Sequence, residues 1–195
     1  MNRKHTLTIT ITAMMIALCY VGANFIKIDI PTPFGYTKFH LGNTFCILGS
    51  LMLGGIYGGL AGAIGMSIGD LLDPLYVASA PKTIILKFLM GFIAGTMAYK
   101  VFHIDDKNIR NRTLKIYLSA GIGTFANIIL EPCISWFYYL YILGMSDKAA
   151  GAFAATKFLT ITVNAILATL IAPTIYLVLE KRLGNSDIFK ALKEK

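Results

Sequence analysis

The feature that most constrains this chain is a succession of apolar runs, each near the length of a bilayer crossing. A spanning helix needs about 20 mostly apolar residues. Runs of that kind cover 7–26, 41–56, 59–72, 83–99, 116–141 and 152–179. Composition agrees: of 195 residues, 56% are apolar and only 14% charged, with a mean hydropathy of +0.66. A water-soluble domain of this size has one modest core and cannot hide that much apolar surface. The sequence therefore predicts an all-α integral membrane protein, a single six-helix bundle over 1–195. The second and third runs are short enough that one could be partly re-entrant.

The segments between the runs carry the charge. Segment 27–40 (KIDIPTPFGYTKFH) breaks the first run with two prolines, a glycine and three aromatics. GGIYGG (54–59) reads as a tight turn, and 73–82 as a polar hinge with Pro74 and Pro81. Segment 100–115 is a charged loop, 142–151 a short connector, and the tail 180–195 a charged stretch suited to a surface helix. If both ends are cytoplasmic, the inside segments hold 12 of the 18 lysines and arginines and the outside segments four. That is the asymmetry of a protein obeying the positive-inside rule. The net charge of +8 thus reports membrane orientation, and no nucleic-acid partner is expected. No small-residue cleavage site follows the first run before Lys27, so a removable leader is not expected.

Charged and amide residues inside the runs are costly in lipid and usually face a cavity or a partner. Lys87 lies about a turn inside the fourth run and Lys157 at similar depth in the sixth. Glu131 lies deeper in the fifth, with Asn127 four residues earlier on the same helical face. Asn164 follows Lys157 by seven residues, again on one face. Trp136, Tyr138, Tyr139 and Tyr141 crowd the end of the fifth run. Taken singly, these are snorkelling lysines, a structural ion pair and a belt of interfacial aromatics. Taken together, three runs send polar groups toward the end that carries the aromatic loop 27–40, with Tyr36 and His40. That combination predicts a pocket for a small polar, ring-containing ligand.

Other patterns are weaker. Asp70 and Asp73 (DLLDP) could hold a divalent metal, but no second acidic cluster supports a membrane enzyme, and helix-end roles suit them better. GMSIG (65–69) spells GxSxG inside an apolar run with no histidine to serve Ser67. GIGTFA (121–126) lacks the strand that a dinucleotide fold requires, and no P-loop is present. The histidines are scattered, so no zinc site is expected. Cys19, Cys46 and Cys133 read as small buried hydrophobes. Small-residue ladders at Ala13/Ala17, Gly55/Gly59/Ala63, Gly58/Gly62 and Gly91/Gly95 suit close helix approach, within the chain or toward a partner.

Six short spans, AMMIA (13–17) on the first, the long aromatic first loop, the block HLGNTFCILGSLMLGGIYGGLAGAIGMSIGDLLDP (40–74) and KTIILKFLMGFIAG (82–95) together resemble the S components of energy-coupling factor (ECF) vitamin transporters. The similarity points to the riboflavin-type branch, which includes proteins assigned to hydroxymethylpyrimidine or pyridoxine. The resemblance implies a substrate-capture subunit in a bacterial plasma membrane, with no cofactor, metal or catalytic residue of its own. It further implies a membrane coupling subunit that meets Ala13 and Ala17, two separate ATPase subunits, and loop 27–40 as a gate. Lys87, Asn127, Glu131, Trp136, Lys157, Asn164, Tyr36 and His40 are then the expected vitamin contacts, assigned by location. The polar pattern at FHLGNTF (39–45) differs from the riboflavin-binding members and favours hydroxymethylpyrimidine or pyridoxine. Riboflavin, pantothenate or another vitamin is the alternative within the family. An ion-coupled transporter using Glu131 and an enzyme using Asp70 and Asp73 are the alternatives outside it.

Overall fold

A computed structural model of the chain describes residues 3–33 and 35–184. Among the described residues, seven helices and one hairpin form the architecture: α1 (Arg3–Asn24), β1 (Lys27–Thr32), β2 (Gly35–His40), α2 (Gly42–Leu53), α3 (Gly55–Leu72), α4 (Ala80–Thr96), α5 (Arg112–Phe137), α6 (Asp147–Thr156) and α7 (Phe158–Leu183). Short π turns extend α4 over Met97–Val101 and α5 over Tyr138–Ile142. Five helical stretches among the described residues are long and apolar enough to cross a membrane, and α2 is a shorter apolar helix of 12 residues. At 1.5 Å per residue α2 spans about 18 Å, short of a bilayer core.

Three expectations change. Segment 27–40, read as an irregular loop, is an antiparallel hairpin pairing Lys27 with His40 and Thr32 with Gly35. Its threonines, isoleucines and aromatics favour the extended backbone. The turn expected over 54–59 shrinks to Gly54 alone, whose φ of 87° suits glycine, and helix resumes at Gly55. The sixth run begins earlier and breaks at Lys157, where α6 ends and α7 begins. The surface helix expected in the tail lies, from 185 onward, outside the described residues.

Close approach of small residues sets the packing. A Cβ added to Gly91 on α4 would stand 2.7 Å from the Gly59 Cα on α3, so these backbones touch where a side chain cannot fit. Gly58 and Gly62 face Ser50 and Cys46 across the α2–α3 hairpin. The glycine ladders are thus spent on internal packing. Ala13 and Ala17, by contrast, are exposed on α1 beside Met14. Cys19 and Cys46 are buried as expected, whereas Cys133 is exposed on α5. At the end of the bundle away from the hairpin, Arg112 forks onto Glu180 at 2.7 and 2.8 Å and donates to the Ile104 carbonyl at 2.7 Å. That clamp ties the start of α5 to the end of α7.

Candidate functional site

A cavity of about 60 Å³ lies where the hairpin meets α2–α5 and α7. Helical periodicity presents its walls. Lys157, Thr160, Ile161 and Asn164 form one stripe at the start of α7, and Met66 and Asp70 another on α3. From α4 come Lys82, Thr83 and Lys87; from α5, Glu131; and from the entry to α2, Asn43. The β2 strand supplies Tyr36, Thr37, Lys38 and His40. Tyr36 is 39% exposed and stands between the cavity and the outside.

Buried charge is tolerated only when paired and hydrogen-bonded, and two carboxylates do most of the pairing. Glu131 meets Lys87 at 3.2 Å and Lys82 at 3.6 Å. Asp70 accepts from Lys38 at 2.8 Å and from the Thr83 hydroxyl at 2.7 Å. Lys157 donates to the Tyr139 hydroxyl at 2.7 Å and sits 4.2 Å from the centre of the Phe153 ring. Asn164 fixes the hairpin, accepting from the His40 N–H and donating to the Lys38 carbonyl, both at 3.0 Å. The Thr37 and Thr160 hydroxyls, 2.7 Å apart, add a second tie.

His40 is neutral. Burial, then the charges of Lys87 and Lys38, lower its pKa to about 3, and its Nδ1 accepts from the Gly42 N–H at 3.1 Å. The proton of the ring is therefore on Nε2. Asn43 is buried with its Oδ1 lacking any hydrogen-bond partner among the described residues. A buried acceptor left open on a cavity wall is a place for a ligand donor.

At the edge of the cavity, where Tyr76 is part of the lining, a rim brace holds the hairpin. Lys27 bridges Asp73 at 2.6 Å and Asp29 at 3.1 Å. Tyr76 donates to Asp29 at 2.7 Å, and its ring lies 4.2 Å from the Lys38 ammonium. Burial and the bond to Asp29 push the Tyr76 phenol well above its ordinary pKa.

Six of the eight expected contacts line this cavity: Tyr36, His40, Lys87, Glu131, Lys157 and Asn164. Two do not. Asn127 lies behind the wall, accepting from Lys87 at 3.4 Å and donating to Glu131 at 3.1 Å. Trp136 is 38% exposed and donates to Asp147 at 2.9 Å, so it fastens α6 to α5. Lys38, Asn43 and Lys82 lacked a sequence signal because they sit in or beside segments that read as loops. Asp70 and Asp73, considered as a metal pair, are divided between Lys38 and Lys27. Among the described residues no group of three or more His, Cys, Asp or Glu is placed to hold a metal ion.

The model of the family described as ECF-type riboflavin transporter, S component, matches residues 3–181. This chain belongs to that family. An S component is the substrate-binding membrane subunit of an ECF transporter, so a polar cavity inside a helix bundle is the part such a subunit requires. A solved structure described as the S component of a bacterial ECF transporter is similar in fold, with a TM-score of 0.55. The two share 20% identity over 93% of this chain and 97% of that one. No curated protein matches.

Proposed function

We propose that this S component captures a small water-soluble vitamin or precursor, of the size of hydroxymethylpyrimidine or pyridoxine, from outside a bacterial plasma membrane. The observation that carries this reading is the cavity itself: polar side chains from five elements converge beneath a hairpin, in a protein otherwise built of apolar helices. A polar ligand leaving water needs its hydrogen bonds replaced, and Asn43, His40 and the lysines offer donors and acceptors together. At about 60 Å³ the closed cavity lies below the roughly 300 Å³ and upward of drug-sized ligand pockets, so any cargo requires it to open, and a single ring requires less opening than riboflavin. A carboxylate-bearing vitamin such as pantothenate is the second reading, favoured by the number of lysines on the wall.

In this proposal α1, α2, α3, α4, α5 and the α6–α7 unit form one six-crossing domain with both ends cytoplasmic. The hairpin is the gate on the outer side. Ala13 and Ala17 form the face that meets the coupling subunit, and two ATPase subunits supply the energy. The ion-coupled alternative is less well supported, because Glu131 already serves two lysines.

Native mass spectrometry of the purified chain tests the proposal. A retained single-ring vitamin or precursor, bound without any ATPase present, is the expected result. Protein that retains nothing and binds no member of a vitamin panel overturns it.

A further inference from the structure

The wall of the cavity holds four lysines, Lys38, Lys82, Lys87 and Lys157, against two carboxylates, Asp70 and Glu131. With His40 neutral, that leaves a formal surplus of two positive charges in a buried space. The surplus is local. Lys38 has Asp70 at 2.8 Å and Lys87 has Glu131 at 3.2 Å. Lys82, only 3% exposed, has just the far oxygen of Glu131 at 3.6 Å. Lys157, 6% exposed, has no carboxylate within 4 Å among the described residues. Both of these ammonium groups flank one ring, 5.8 and 5.2 Å from the centre of Tyr139.

We propose that Lys82 and Lys157 form an anion-binding subsite beside Tyr139, so that the captured cargo carries a carboxylate or phosphate group. This rests on the reading that the cavity captures cargo. An ammonium held by a phenol oxygen and two ring faces is poorly compensated for its lost water. An apolar side chain of similar length would pack against Phe153 and Tyr139 without that cost. A ligand anion supplies the missing counter-charge, and it does so only when bound. The start of α4 and the α6–α7 break bring the two lysines to one ring, so the anion also bridges elements distant in sequence. Asn43 Oδ1 and His40 Nε2, on the same cavity wall, remain for the neutral part of the cargo.

The test uses the purified chain in detergent and matched ligands that differ in charge. Calorimetry compares pantothenate with panthenol, nicotinate with nicotinamide, pyridoxine phosphate with pyridoxine, and hydroxymethylpyrimidine phosphate with hydroxymethylpyrimidine. Native mass spectrometry identifies any compound retained from the cell. The anionic member of whichever pair binds is expected to bind at least ten-fold tighter, and a retained compound to carry an acid group. The carboxylate and phosphate pairs separate the two anion sources. Lys157→Gln and Lys82→Gln are expected to erase the ten-fold preference, while Lys157→Met raises the thermal midpoint of the empty protein. A neutral ligand bound as tightly as its charged twin, or a retained compound without an acid group, overturns the anion subsite and leaves the capture reading standing. If no pair binds and nothing is retained, the capture reading fails and the subsite with it. The wild-type comparison needs no variant to fold.

Discussion

Asn164 on α7 pairs with the backbone of His40 as a neighbouring strand would: its Oδ1 accepts from the His40 N–H, and its Nδ2 donates to the carbonyl two residues earlier. One side chain thereby supplies β2 with two ladder bonds on the edge that β1 does not cover. Asn164→Leu keeps the size but leaves a buried donor and acceptor unpaired, at about 1–3 kcal/mol each. Hydrogen exchange at 37–40 is expected to accelerate, and ligand off-rates to rise by about ten-fold or more. Unchanged exchange there would show that β1, the Thr37–Thr160 tie and the rim brace suffice to hold the hairpin.

His40 predicts a pH dependence. Its folded pKa is about 3, below the ordinary 6.5, so the unfolded chain takes up a proton first as pH falls. The stability this neutral histidine contributes is complete above pH 6.5 and is lost progressively from there toward pH 3. Thermal midpoints measured from pH 7.5 to 4 are expected to fall in the wild type. They should fall less in His40→Asn, which keeps an acceptor for the Gly42 N–H but cannot be charged.

The rim brace behaves differently. Burial opposes ionisation of Asp73, but its bonds to Lys27 and the Leu75 N–H outweigh burial and lower its pKa. For Lys27, burial is likewise outweighed by Asp73 and Asp29, and its pKa is raised. The Asp73 contribution is lost as pH falls through its depressed folded value below 3.8, and the Lys27 contribution as pH rises through a folded value above 10.5. Asp73→Asn is therefore expected to lower the thermal midpoint by the same amount at pH 5 and pH 9. A difference that changes across that interval would assign the coupling to other groups.

Glu131 is the carboxylate on which Lys82 and Lys87 depend. Glu131→Gln strands two buried ammonium groups, and breaking a buried pair on one side costs about 3–5 kcal/mol. A large fall in thermal midpoint in detergent is expected. It should be partly rescued in the double variant Glu131→Gln/Lys87→Met, which removes one of the stranded charges.

The α3–α4 contact predicts a steric result. Gly91→Ala places a methyl 2.7 Å from the Gly59 Cα, and overpacking of this kind costs about 1–3 kcal/mol. Gly121→Ala is the matched control, because its new methyl would meet only Thr169 at an ordinary 3.6 Å. Folded yield by size exclusion should separate the two.

Ala13 and Ala17 face outward on α1, so bulky residues there leave the core untouched. Ala13→Trp and Ala17→Trp are expected to fold and bind ligand normally, yet to lose co-purification with the coupling subunit. Intact complex in both variants would remove this face from the docking proposal.

The sequence by itself determined the class of solvent this chain folds in, a bundle of apolar helices long enough to cross a membrane, and the polar stripes on α5 and α7. It could do so because hydropathy and the 3.6-residue repeat are local properties. Lys157 and Asn164 share a face whatever lies opposite them. The tertiary structure alone decided what each face meets. Asn127 and Glu131 lie on one stripe, yet only Glu131 reaches the cavity, and Asn127 supports it from behind. Trp136 and Tyr139 belong to one aromatic cluster, yet the packing of α6 drew Tyr139 inside and left Trp136 at the edge. Lys38 and Lys82 looked like loop charges until a hairpin and a helix start carried them onto the wall. Whether a charge is buried, and against which counter-charge, depends on distances between helices far apart in the chain, and those distances are set by small-residue contacts such as Gly59 on Gly91.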